Sequence, residues 1–453
     1  MSQQIPPMTS VADRGSALAL APLGLFILLF LGTGIYLHLT GVDFAFYQLP
    51  APVAIIPPIL LAIWLDKSLN RSDTDTVDQS IGRFISGMGN NKVVTMCIIY
   101  LLAGAFSAVA KASGGVESVV SLGLGVVPPA FVLAGLFVIS AIIATAMGTS
   151  MGTIGAVAPI AVGIIDVTGL NPAIVAGAVV GGAMFGDNLS FISDTTIAST
   201  KTQGAELKDK FRENLNIALP AAVICLLIYA ALGLDSPAEL APKDGGSVIL
   251  ALPYLLIIAL AVMGVNVFLL LIIGIILSAL VGAVVADYSL SNLGKDVYAG
   301  FANMQEIFLL SMLIGGLSEL MKQQGGLAFL VRKIEHIAQT NPKASKKSSN
   351  QFAIAGLALV TNSAVANNTV AIIVTGDTAK QLAQDGDISP KRSASLLDIF
   401  ACIAQGLLPY GAQALLAAAT FGISPLDVVA NVWYCMVLFV VSCAVVYLKR
   451  KSA

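Results

Sequence analysis

Residues 265–286 read VNVFLLLIIGIILSALVGAVVA, a run of 22 positions without a charge. A helix of about 20 such residues, rising 1.5 Å at each, is long enough to cross the roughly 30 Å hydrocarbon core of a bilayer. A barrel strand would instead alternate polar and apolar residues over about ten positions. Residues 18–36, LALAPLGLFILLFLGTGIY, repeat the helical signature near the other end of the sequence. Working outward, apolar runs recur at 51–65, 93–110, 128–146, 172–190, 215–232, 248–263, 301–321, 393–408 and 425–448. Shorter ones lie at 153–165, 351–361 and 369–382. Of the 453 residues, 57% are hydrophobic and 11% charged, with a mean hydropathy of +0.88. A soluble domain carries roughly 25% charged residues. Backbone in lipid must satisfy its own hydrogen bonds, so the expected fold is an all-α polytopic membrane protein.

The run at 18–36 is too long for a signal-peptide core, and no small-residue cleavage site follows it, so it is expected to be the first span. Net charge is −2, and no basic patch suits nucleic acid. Cys97, Cys225, Cys402, Cys435 and Cys443 all sit in apolar runs without metal-like spacing, which reads as packing. His38 and His336 lie outside those runs. HExxH and a P-loop are absent, so an enzyme or a nucleotide-driven pump is not expected.

Lysines and arginines mark cytoplasmic loops. Arg14, the stretches 66–92, 201–212, 322–350 and 380–392, and the end Lys449-Arg450-Lys451 hold 21 of the 24 basic residues. Lys111, Lys243 and Lys295 remain for the other face. This bias predicts both termini in the cytoplasm. It also forces residues 128–166 to enter from outside and return there, and residues 351–384 to enter and leave from inside. Each becomes a re-entrant helical hairpin, and the two point in opposite directions. The contexts repeat as well, with Gly82 matching Gly294 and Gly104 matching Gly316 at an offset of 212. An inverted-topology repeat follows. Its parts are a cytoplasmic arm, 1–16; repeat 1, 17–234, with a broken helix at 172–196; and repeat 2, 247–449, with a broken helix at 393–420.

Polar residues cluster at these breaks. The first hairpin tip reads Met147-Gly148-Thr149-Ser150-Met151-Gly152-Thr153. There, unwound carbonyls and the hydroxyls of Thr149, Ser150 and Thr153 could replace the water around a small cation; alternatively the hydroxyls bond back to their own helix and the glycines serve helix packing. The first broken helix carries Gly186-Asp187-Asn188-Leu189-Ser190-Phe191-Ile192-Ser193-Asp194-Thr195-Thr196. A carboxylate at membrane depth is functional by default. Asp187 has the stronger claim, since Asp194 could instead cap the following helix. The second tip, Thr361-Asn362-Ser363-Ala364-Val365-Ala366-Asn367-Asn368-Thr369, offers three amide oxygens. The second broken helix, Gln405-Gly406-Leu407-Leu408-Pro409-Tyr410-Gly411-Ala412-Gln413, has no acid, so the site is asymmetric. Asp377 and Asp398 lie deeper in apolar sequence than Glu117, Asp166, Glu306 and Glu319, and are lesser candidates.

The acidic motif 186–197, preceded by Gly148-Thr149-Ser150-Met151-Gly152-Thr153, resembles the NhaC family of Na+/H+ antiporters, within the ion transporter superfamily. The resemblance spans most of the chain. It implies inverted repeats, a scaffold and a transport domain, sodium at the hairpin tips and frequent homodimers. The sequence departs from the family pattern at Met151, where tryptophan is common. It departs again at Asn188-Leu189 and Phe191, where a His-Cys pair and a proline are common.

The expected function is therefore secondary Na+/H+ antiport by alternating access in a bacterial inner membrane. Sodium is the coupling ion, and no other cofactor is expected. Thr149, Ser150, Asp187, Asn362 and Asn368 would hold Na+. Gly148, Thr153, Asn188, Ser190, Ser193, Asp194, Thr195, Asn367 and Thr369 would complete the ion or substrate site. The alternative is a sodium-coupled symporter or exchanger of a small organic solute, an amino acid or carboxylate.

Overall fold

The computed structural model describes residues 16–42, 48–69, 77–116, 118–119, 122, 128–191, 193–234, 247–263, 265–339 and 346–448. Most of the expected 1–16 arm, together with Arg71, Glu117, Ile192, Lys243, Lys343 and residues 449–451, lies outside them. Every regular element among the described residues is helical. Among the described residues, seven helices are long and apolar enough to cross a membrane, and nine if two bent pairs each count as one span. The chain is a multi-pass membrane protein.

Two compact units emerge. The first comprises Met1–Val94 and Leu309–Pro342. Within it, residues 77–88, expected to be loop, form an amphipathic helix, Val77–Met88. Its polar face kept it from reading as a span. Arg83 of this helix pairs with buried Asp66 at 2.7 Å, and Ser80 donates to the same carboxylate oxygen at 2.5 Å. Arg83 is thus partly a structural cation.

The second unit, Thr95–Phe308 and Lys343–Ala453, carries the polar clusters. Its central helices are α1 (Val132–Met147), α2 (Ser150–Thr168), α3 (Pro172–Leu189), α4 (Asp194–Gln203) and α5 (Leu207–Leu234). After Lys343 come α6 (Lys346–Val365), α7 (Asn368–Asp385), α8 (Pro390–Leu407), α9 (Ala412–Phe421), α10 (Pro425–Asn431) and α11 (Trp433–Leu448). The same order occurs twice: a helix, a tight tip, a helix, then a helix broken by four residues. Helices α2, α6 and α7, with 19, 20 and 18 residues, are longer than the apolar runs at 153–165, 351–361 and 369–382. Helix geometry continues through Ser150, Ser348 and Gln384, which an apolar-run criterion leaves out.

Backbone chemistry explains the interruptions. Gly148 ends α1 in the left-handed conformation (φ 69°), which glycine adopts without a Cβ penalty. Ala366 takes φ 53° at the equivalent point between α6 and α7, and the Asn367 side chain accepts from the Val370 amide at 3.1 Å. Residues 190 and 193, and likewise 408 and 411, are extended. Small residues then set the packing. A Cβ on Gly182 or Gly186 would collide with the carbonyl oxygen of Phe137 or Ala141. The backbones of α3 and α1 are therefore in direct contact, as small residues permit in membrane helices.

Candidate functional site

The close approach of α1 and α3 positions the end of α3, where Asp187 lies buried in the last turn. Its Oδ2 accepts from Ser150 Oγ at 3.0 Å, and its Oδ1 from Ser193 Oγ at 2.6 Å. Ser150 is the first residue of α2, and Ser193 is the N-cap of α4. Ser193 Oγ is also 3.0 Å from Thr195 Oγ1. From the other half, Gln413 in the first turn of α9 donates to Ser150 Oγ at 3.0 Å, and Gln405 near the end of α8 donates to Gln413 Oε1 at 2.7 Å. Both breaks and the first tip thus share one hydrogen-bonded chain. Three helix N-termini contribute to it, and their partial positive charge suits a carboxylate.

A second buried cluster adjoins the first. Lys210 Nζ is 2.6 Å from Asp398 Oδ2, with side chains 1% and 0% exposed. It also donates to Thr196 Oγ1 at 2.6 Å and reaches the Asn188 carbonyl at 3.5 Å. Asn214, one helical turn along α5, donates to that carbonyl and to Asp398 Oδ2, each at 2.8 Å. The Asn188 amide donates to the Tyr434 hydroxyl at 3.0 Å. Lys210 and Asn214 therefore bind both sides of the α3–α4 break. A third polar group sits where α8 begins: Arg392 donates to Glu213 at 3.1 Å and to Gln351 at 3.0 Å. These three residues line a cavity of about 680 Å3.

Of the expected residues, Asp187, Ser150, Ser193 and Thr195 come together directly. Asn188 and Ser190 are buried beside them. Gly148 and Thr149 form the tip, and the Thr149 carbonyl accepts from Thr153 Oγ1 at 3.0 Å. Asp194 is exposed at the start of α4. The second tip makes its own bonds. Asn362 donates to the Ala401 carbonyl at 2.8 Å, and Asn367 caps α7. Asn368 Oδ1 accepts from the Thr369 amide at 3.0 Å. Tyr410 from the second break donates to the Ser363 carbonyl at 2.6 Å. No hydrogen bond joins Asn362, Asn367, Asn368 or Thr369 to Asp187.

Sequence reasoning passed over Lys210 and Asn214, ranked Asp398 low, and noted Gln405 and Gln413 only as markers of a break. The charge pattern places Lys210 among the cytoplasmic loop charges, yet it is buried. The available signal was its spacing of four from Asn214, which shares its helix face.

The sequence profile of the Na+/H+ antiporter family matches residues 68–234 and 239–449. The chain is 26% identical over 359 residues to the Na+/H+ antiporter NhaC of Alkalihalophilus pseudofirmus, covering 73% of this chain and 76% of that one. It is 24% identical over 367 residues to the arginine/ornithine antiporter ArcD of Halobacterium salinarum, covering 75% of each. It is 29% identical over 202 residues to the malate-2H+/Na+-lactate antiporter of Bacillus subtilis, covering 44% of this chain and 42% of that one.

Proposed function

This chain belongs to the Na+/H+ antiporter family, and from that premise we propose that it exchanges Na+ for protons at the Asp187 carboxylate. One observation carries the reading. Asp187 is buried, yet its hydrogen-bond partners are the neutral hydroxyls of Ser150 and Ser193, while the adjacent Lys210 is committed to Asp398. A buried carboxylate without a bonded cation is costly. Na+ or a proton relieves that cost, and the two cannot occupy the same oxygens together. Competition for one site, exposed alternately to the two sides, gives obligatory exchange.

Ser150, Ser193 and Thr195 offer hydroxyl oxygens beside the carboxylate, and Thr149 a tip carbonyl. Asn362 and Asn368 of the second tip complete the proposed set. The recurring order of helix, tip, helix and broken helix supports two repeats. The basic-residue bias supports their opposed orientation, with both termini in the cytoplasm of an inner membrane. Assembly as a homodimer rests on the resemblance to the superfamily.

The test is a sodium step outside proteoliposomes loaded with a pH-sensitive dye. Wild-type protein gives a sodium-driven pH change, and Asp187→Asn abolishes it while still folding and inserting. Full exchange by Asp187→Asn sinks the assignment.

A further inference from the structure

Among the described residues, the buried charged side chains of the second unit are Asp187, Lys210, Asp398 and Arg392. Arg392 is neutralised locally by Glu213 at 3.1 Å. The other three form the core of the two adjoining clusters, and their sum is one negative charge when both acids are ionised. We infer that Lys210 is the fixed counter-charge of the transport site, and that it limits the site to one exchangeable cation per cycle. This inference rests on the exchange reading above.

The geometry commits the Lys210 charge. The ammonium is bonded to Asp398 Oδ2 and Thr196 Oγ1, each at 2.6 Å, and faces the Asn188 carbonyl at the end of α3. A cation is favourable at a helix C-terminus. Thr196 and Asn188 lie on the two sides of the broken helix, so the charge is held by the same segments that hold Asp187. Removing a buried charge from its partner is strongly unfavourable. Asp398 therefore needs no mobile cation, and Asp187 is left as the one carboxylate that does. Na+ on Asp187 brings the three residues to zero, and so does a proton. The loaded site carries no net charge in either direction, so exchange is one for one and moves no net charge across the membrane.

Unbonded oxygens nearby show what Lys210 holds in check. Asp398 Oδ1, Asn188 Oδ1 and Asn214 Oδ1 are buried without a hydrogen-bond donor. Their residues are joined to one another through Asn214. Two amide oxygens with a carboxylate oxygen resemble the donor set of an oxygen-ligated cation. The ammonium beside them opposes a second cation there.

The experiment uses the full chain in liposomes, with the sodium step applied at zero membrane potential and again under a potassium diffusion potential set by valinomycin. The expected result is a rate of pH change indifferent to voltage and a Na+ to H+ ratio of one. Exchange driven by voltage, or another ratio, overturns the inference while leaving the antiport reading intact. Absence of any sodium-driven pH change overturns the antiport reading itself, and this inference with it. The second arm removes charges. Asp398→Asn frees Lys210 to neutralise Asp187, so apparent Na+ affinity drops at least about tenfold. Adding Lys210→Met restores it, because Asp187 again lacks a fixed partner. An Asp398→Asn protein that keeps wild-type Na+ affinity, or a double variant with no recovery, overturns the inference. The voltage measurement needs only the wild-type protein.

Discussion

Lys210 Nζ lies 2.6 Å from Asp398 Oδ2, joining α5 to α8 with both side chains sealed inside the protein. The pair is asymmetric in what each loss does. Lys210→Met leaves Asp398 without its charge partner, though Asn214 still donates to it, and should cost about 3–5 kcal/mol of unfolding free energy in detergent micelles. Lys210→Met with Asp398→Asn removes both charges and should cost less than the Lys210 change alone. Equal or larger loss in the double variant would show that the side chains contribute through packing rather than charge.

The hydroxyls on Asp187 are the next point of attack. Ser193→Ala removes the 2.6 Å bond to Oδ1, and Ser150→Ala the 3.0 Å bond to Oδ2. A hydrogen bond to a charged group contributes about 1.5–3 kcal/mol, or roughly tenfold or more in an equilibrium constant. Both bonds favour the ionised carboxylate, so losing either helps the proton compete. Each variant should raise the Na+ concentration for half-maximal exchange about tenfold at fixed pH. Ser150→Ala also breaks the link to Gln413, at 3.0 Å, and should slow maximal exchange in addition. Unchanged sodium dependence in both would detach the hydroxyls from the site.

Gly186 tests the packing that positions Asp187. A Cβ there would overlap the Ala141 carbonyl oxygen and lie 2.6 Å from the Ala144 Cβ. Backbone cannot yield as a side-chain end can, so Gly186→Ala should cost about 1–3 kcal/mol as overpacking and displace the carboxylate. Gly135, on α1, has nothing within 4 Å of its virtual Cβ. Gly135→Ala is the control, with transport and melting temperature near wild type. Parallel melting curves of the two variants check this.

Much of the helical architecture was legible because lipid makes long apolar runs unambiguous. The breaks were readable from glycine and polar residues inside apolar runs, and Asp187 from the rarity of a carboxylate there. The match of Gly104 with Gly316 has a structural counterpart. A Cβ on Gly104 would collide with the Gly300 carbonyl oxygen, and one on Gly87 would lie 2.9 Å from the Gly316 Cα. A shift of 212 positions carries Gly104 onto Gly316 and Gly87 to within one residue of Gly300. The two close approaches are therefore images of each other, which supports the proposed repeat. Lys210 was not legible, because positive charge near a span end ordinarily means a loop, and its partner is 188 positions away. Chain separation likewise hid the link from Gln413 to Ser150. The helices at 150–168 and 346–365 were underestimated because buried hydrogen bonding tolerates polar residues that hydropathy penalises.

The final prediction follows from a single carboxylate serving both ions. If Na+ and H+ compete for Asp187, raising the proton concentration tenfold raises the apparent half-saturating Na+ about tenfold wherever the proton-loaded form dominates. The maximal rate at saturating Na+ stays unchanged over that range. At higher pH the half-saturating Na+ levels off at the intrinsic dissociation constant. The sign follows from the charge: the ionised form binds Na+, so affinity is present at high pH and lost as pH falls. Asp194→Asn should leave this profile in place, since Asp194 is exposed and gains little from a bound ion. Initial rates of the sodium-driven pH change, taken over a grid of Na+ concentrations and pH values, decide it. A half-saturating Na+ independent of pH would mean that proton and sodium bind at different places. A profile altered by Asp194→Asn but not by changes around Asp187 would move the site to the start of α4.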